Sequence, residues 1–148
     1  NAQIVSDLRR QTKIPIAMGD EQGGIYYPES LIAKSAVDVV RIDLTCMGGI
    51  TGGKKIVKQC LDSKIDFAPH MFAHVHSQVF SAWGHTSVPI EWGVPWTGVD
   101  PYADSLCQPQ ILTGGNMGPL PEENGFGNLV NKDWIHSQQF DDPDGIFS

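Results

Sequence analysis

Four polar residues, Asp20, Asp43, His70 and Glu91, punctuate otherwise apolar segments of the 148-residue chain at intervals of 23, 27 and 21 residues. Carboxylates such as Asp20, or its neighbour Glu21, can hold a hard divalent cation such as Mg2+ through oxygen, and such a cation neutralises the charge of a bound carboxylate. A histidine whose second ring nitrogen meets an aspartate is fixed in tautomer and made more basic, so it can take up a proton near neutral pH. Together these groups suit removal of a carbon-bound proton beside a carboxylate. That step builds a second negative charge on the oxygens as an enediolate, which needs a preorganised cation and acid to stabilise it. Enzymes lower barriers by roughly 8 to 23 kcal/mol, more than one side chain supplies, so the four residues have to be gathered.

The segments that carry them are short and alternate in type. KIPIAMGD, ending at Asp20, is an apolar run bounded by Pro and Gly signals, as expected of a strand buried on both faces. PESLIAKSA has helical spacing with Pro28 at a plausible first helical position, and VDVVRIDL is a β-branched run that reaches Asp43. The glycine-rich CMGGITGG opens a helix KKIVKQCLDSK, IDFAPH is a third strand ending at His70, HSQVFSAWGH is helical, and SVPIEW is a fourth strand carrying Glu91. Ahead of them, IVSDLRRQT reads as a helix with Ile4, Val5 and Leu8 on one face, as if the chain began inside something larger.

Strands separated by helices predict successive βα units, a parallel sheet and the α/β class. An open doubly wound sheet and a closed eight-stranded barrel both satisfy that pattern. The barrel is favoured because each of the four polar residues falls at the C-terminal end of a different strand, and in a barrel those ends meet at one pocket. Four units make half of a (β/α)8 barrel, expected over residues 1–98. Residues 99–148, rich in Gly, Pro and Asn, are expected to form turns and short strands that pack on a neighbouring domain, with a polar tail at HSQQFDDPDGIFS.

In these motifs the chain resembles the enolase superfamily, and within it the mandelate racemase-like and muconate lactonizing enzyme-like branch. MGDEQGG is similar to the end of that family's fifth barrel strand, RIDLTCMGGITGG to the sixth, APHMF to the seventh and PIEW to the eighth. The resemblance implies strands five to eight of the barrel, with Asp20 as a metal-binding carboxylate and Glu21 as its rival. Asp43 and His70 become the Asp-His dyad, and Glu91 the acid that hydrogen-bonds the developing enediolate. One Mg2+ per site, a small-molecule sugar-acid substrate and a homo-oligomeric full-length enzyme follow from the same likeness. It further implies two metal ligands on the third and fourth strands, a second acid-base residue on the second and an N-terminal capping domain. None of these is in this chain, which is therefore expected to bind metal poorly and to catalyse nothing alone. The activity implied is that of an acid-sugar dehydratase, a lyase that removes water. Racemisation or epimerisation of a 2-hydroxy acid by the same chemistry is the alternative, and a non-catalytic half-barrel is a third.

Plainer roles exist for the same residues. Asp20 could cap a helix, Glu91 could make a simple ion pair, and a lone His70 could be structural; the barrel register is what favours chemistry. In its apolar PIEW setting Glu91 is expected to be enclosed and able to donate a proton. Gly48 to Lys54 matches the first part of a phosphate-binding loop, but Lys55 stands where Ser or Thr would hold a nucleotide's Mg2+. His74 and His76 alternate like metal ligands without a completing set, so they and Trp92 are candidates for substrate contact, and His85 is expected to be structural. Trp83, Trp92 and Trp96 could stack on a sugar, with core or interface packing as the plainer role. DDPDG is too short for a calcium loop.

Composition narrows the classes. Seventeen acidic against ten basic residues give a net charge of -7 and a pI near 5.0, which repels a phosphate backbone or an anionic membrane face. Neither nucleic acid nor membrane is an expected partner. Cys46, Cys60 and Cys107 are odd in number with no CxxC pairing, favouring reduced thiols and, with no signal-peptide pattern at the start, a cytoplasmic location.

Overall fold

The computed structural model describes residues 1–93, 112–117, 124–126 and 131–137. It divides into two compact units, Asn1–Trp92 and Gly93–Ser148. The first is an α/β unit in the order α1 (Ala2–Gln11), β1 (Ala17–Met18), α2 (Tyr26–Ala33), β2 (Val39–Ile42), α3 (Gly49–Ser63), β3 (Asp66–Pro69) and α4 (Ala73–Ala82). The three strands pair in parallel in the order β1-β2-β3. In the second unit, β4 (Leu112–Thr113) and β5 (Asn116–Met117) form a hairpin. Its two turn residues, Gly114 and Gly115, both have positive φ, the twist that a tight hairpin needs. Helix α5 spans Lys132–Ser137.

Period-two alternation divides the sheet into two faces. Val40 and Ile42 point into a core formed with Leu31 and Ile32 of α2, Ile56 of α3 and Phe80 of α4. Burial of each such side chain contributes roughly 1.5–3 kcal/mol. The opposite face presents Val39, Arg41 and Ala68, half-buried, to a cavity of about 810 Å³ that Val88, Ile90 and Glu91 also line. Interior positions beside this cavity are thus less covered than those beneath the helices.

Several expectations are revised. SVPIEW forms no strand, and its residues Ser87 to Glu91 line the cavity together with residues of β3. Helix α3 begins at Gly49, earlier than expected, and absorbs much of the glycine-rich run. Helix α1 buries Ala2, Val5 and Ser6 while Ile4 and Leu8 stay exposed. Polar contacts set that roll: the Ser6 hydroxyl donates to the Lys34 carbonyl at 3.1 Å, and Arg9 pairs with Asp38 at 2.6 Å. Pro28 lies at the third position of α2, still in the first turn where an amide has no helical partner.

Two glycines are required by close approach. A Cβ at Gly19, whose φ is +143°, would lie 2.1 Å from the Arg41 carbonyl oxygen, and one at Gly52 would lie 1.9 Å from that of Met47. Backbone cannot yield as a flexible side chain does, so Gly52→Ala is expected to cost about 1–3 kcal/mol in urea unfolding. A variant as stable as the parent would show that the loop before α3 relaxes freely.

Asp38 supplies a pH test. Arg9, first by hydrogen bonding, and the Ile16 amide hold its carboxyl below the usual carboxylate range. A lowered folded-state value means stability that is present above the ordinary aspartate value of about 3.9 and lost as pH falls through the folded one. Urea midpoints should therefore drop below about pH 4, and Asp38→Asn should flatten that drop. An equally steep acid limb in the variant would remove Asp38 from the account.

Candidate active site

Strand register assembles the site. Arg41 pairs with Ala68 and Ile42 with Pro69, so one further residue along each strand sets Asp43 beside His70. The His70 amide donates to the Ile42 carbonyl at 2.8 Å, carrying the parallel pairing to the strand ends. Asp20 follows β1, with a φ of +41° that is costly for a non-glycine residue. Met71 and Phe72, directly after His70, have positive φ as well, at 50° and 41°. Strained backbone therefore gathers where the polar residues meet.

The His70 imidazole is the centre of the group. Its Nδ1 lies 3.6 Å from Asp43 Oδ2, and its Nε2 lies 3.6 Å from Glu91 Oε2 and 4.0 Å from Asp20 Oδ1. These separations exceed hydrogen-bond length, and Nδ1 is buried without a partner. A modest approach of the ring to Asp43 would close that contact, as catalytic bonds often tighten only around substrate. Asp43 is fully buried, and its Oδ1 accepts from the Thr45 amide at 2.8 Å and the Thr45 hydroxyl at 2.7 Å. A buried carboxylate held by donors on one oxygen leaves the other facing the imidazole.

Glu91 departs from its expected setting. Its side chain is 43% exposed instead of enclosed, and it pairs with the Arg41 guanidinium while accepting weakly from the Met71 amide at 3.3 Å. Arg41 Nε also lies 3.5 Å from Asp20 Oδ1, so one cation holds two of the carboxylates. The sequence contained a signal for Arg41: it is the charge inside the β-branched run VDVVRIDL, two residues before Asp43 and hence on the same face. Glu21 is exposed and has no part in these pairs.

Two expected substrate contacts turn inward. His76 has no exposed surface, and both of its ring nitrogens are engaged within the protein. His74 is buried and meets the ring of half-buried Trp92 edge to face, with centroids 6.2 Å apart. Helix α4 carries both into the core because it starts at Ala73 instead of at His76. His85 packs edge-on against Phe67, and Trp83 lies tilted against Phe80, both with ring centroids 5.2 Å apart. Trp96 and Cys107 lie outside the described residues. Cys46 and Cys60 are free thiols, and burial pushes that of Cys60 up to about 12.

As a metal centre the described residues are incomplete. Asp20 offers one hard oxygen donor, but no three His, Cys, Asp or Glu side chains among the described residues are arranged to hold an ion. No helix among them is long and apolar enough to cross a membrane.

A parallel α/β sheet with polar residues converging at its strand ends is the architecture of a known class, and the chain belongs to it: residues 1–134 match the family described as enolase C-terminal domain-like. Among solved structures, it is similar to L-talarate/galactarate dehydratase from Salmonella typhimurium LT2, with 23% identity and a TM-score of 0.77 over 95% of this chain and 33% of that one. L-Talarate dehydratase from Polaromonas sp. JS666, solved with Mg and L-glucarate, matches with 23% identity and a TM-score of 0.74 over 92% of this chain and 36% of that one. A mandelate racemase/muconate lactonizing enzyme from a marine actinobacterium, in complex with magnesium, matches with 18% identity and a TM-score of 0.75 over 92% and 37%. The chain thus spans little more than a third of the length of these relatives. None of the functionally curated proteins compared with the chain matches it.

Thr45→Val removes the hydroxyl donor to the buried Asp43 charge while keeping side-chain volume. A hydrogen bond to a charged group contributes about 1.5–3 kcal/mol, so chemical denaturation should register a loss of that size. No change in stability would mean that Asp43 is compensated elsewhere.

Proposed function

We propose that this chain supplies strands five to eight of a (β/α)8 barrel in an acid-sugar dehydratase, with His70 taking the proton next to the substrate carboxylate. The observation that carries the reading is the convergence of Asp43, Glu91 and Asp20 on one imidazole, each within 4.0 Å of a His70 ring nitrogen. Membership of the enolase C-terminal domain-like family and the likeness to dehydratase structures support it.

His70 Nδ1 faces Asp43, which directs the other nitrogen, Nε2, outward as the proton acceptor. Asp43 lies buried beside the ring, where its carboxylate would stabilise the imidazolium that proton uptake creates. The same imidazolium can then return its proton to a departing hydroxyl on the neighbouring carbon, which completes loss of water. Glu91 is assigned to hydrogen-bond the developing enediolate; to do so its carboxyl has to exchange Arg41 for substrate, which its exposure permits. Asp20 would provide one ligand to Mg2+, with the others coming from outside the described residues. When bound, that ion supplies positive charge for the carboxylate end of the substrate. Trp92, next to Glu91, is retained as a substrate-contact residue. The intact enzyme is proposed to be cytoplasmic and homo-oligomeric.

Incubation of the full-length protein with Mg2+ and a panel of aldaric and aldonic acids in deuterated water, followed by NMR, tests the reading. Deuterium uptake at the carbon beside the carboxylate together with water loss is expected, and His70→Asn should lower its rate at least about 10²-fold. Exchange with inversion and no water loss would assign a racemase or epimerase instead. Undiminished exchange in His70→Asn would remove the imidazole from the chemistry.

A further inference from the structure

His76 lies in the core, fully buried, six residues beyond His70, and it joins the two loops that carry the dyad. On one side the Leu44 amide, next to Asp43, donates to His76 Nε2 at 3.0 Å. On the other, His76 Nδ1 lies 2.6 Å from the Met71 carbonyl, next to His70. An amide can only donate and a carbonyl can only accept, so a single protonation state satisfies both: Nε2 bears the lone pair and Nδ1 the hydrogen. The ring is therefore a neutral cross-link of fixed tautomer between the end of β2 and the end of β3.

The cross-link falls where the backbone needs holding. Met71 and Phe72 both have positive φ, a conformation that is costly for residues other than glycine and persists only when its surroundings enforce it. His76 engages both residues, through its ring to the Met71 carbonyl and through its amide to the Phe72 carbonyl at 3.0 Å. Asp43 Oδ1 stands 3.8 Å from Nε2, close enough to feel the ring's lone pair and too far to be bonded to it.

We propose that His76 is a positioning residue for the His70–Asp43 pair, setting their separation by tying Leu44 to Met71 through one imidazole. The proposal rests on His70 being the proton-transfer residue, and it assigns His76 a role other than metal ligation or substrate contact. Burial, the leading influence, lowers the tendency of His76 to take up a proton, with neighbouring His70 acting in the same sense and Asp43 and the Met71 carbonyl opposing. The cross-link thus stays neutral while His70 gains and loses its proton.

Two measurements on the full-length enzyme with Mg2+ test this. Side-chain 15N spectra should show His76 with Nδ1 protonated and Nε2 bare throughout roughly pH 5.5 to 8, on either side of the usual histidine value. His76→Phe keeps a ring and loses both bonds; its kcat for α-proton exchange should fall about 10²-fold, the penalty of a misplaced catalytic group. KM should move less than about threefold, because substrate contacts are untouched. His76→Gln, which carries one donor and one acceptor, should recover part of the loss. A protonated Nε2, a cationic ring at the lower pH, a kcat in His76→Phe equal to the parent's, or a His76→Gln variant no faster than His76→Phe would overturn the proposal; if His76→Phe does not fold, the spectra decide. Retained exchange in His70→Asn would instead defeat the functional reading, leaving the tautomer of His76 as a separate result.

Discussion

A carboxylate removed from water has to be compensated inside the protein, and the site depends on how that is done for Asp43. One oxygen is satisfied by the amide and hydroxyl of Thr45. The other faces the imidazole of His70 and finds no comparably short donor. The carboxylate is thereby directed: with one oxygen held by Thr45, the other is left facing the ring beside it and can orient that ring. The surrounding elements can be understood as the means of keeping that geometry. Parallel register sets the two residues side by side, the Thr45 turn holds the carboxylate, and His76 fixes the spacing between the loops.

Arg41 introduces a second electrostatic arrangement at the same mouth. Its guanidinium holds Glu91 and Asp20 together, so the outer carboxylates are occupied by a protein cation while the inner one is not. Asp43 has no exposed surface and its partners are short-range, whereas Glu91 and Asp20 are more than two-fifths exposed. Exposed pairs exchange partners at little cost, and buried ones do not. That contrast gives the residues different capacities: the inner carboxylate orients, and the outer two can turn to a ligand.

Much of this was legible from residue order. The three apolar runs ending at Asp20, Asp43 and His70 specified parallel strands because β-branched and apolar residues bounded by Gly and Pro have few other stable solutions. Their C-terminal polar residues then had to share one edge. What escaped was governed by contacts distant in sequence. PIEW has strand composition but forms no strand, and Glu91 meets Arg41, fifty residues away in sequence, instead of an apolar enclosure. Alternation made His74 and His76 look like site residues, since spacing alone does not reveal that α4 starts early enough to bury both. The glycines before α3 suggested an open loop; close packing of Gly52 on the Met47 carbonyl draws them into the helix. Arg41 was visible as a charge in an apolar strand, yet only its partners reveal its purpose.

His70 and Asp43 are proposed to act as one unit. A double-mutant cycle on the full-length enzyme, comparing α-proton exchange in His70→Asn, Asp43→Asn and the combined variant, measures this directly. If the pair is a unit, the combined variant should be no slower than His70→Asn alone, because Asp43 works only through the ring. Losses that add in free energy would show two independent contributions, with Asp43 acting on something other than the imidazole.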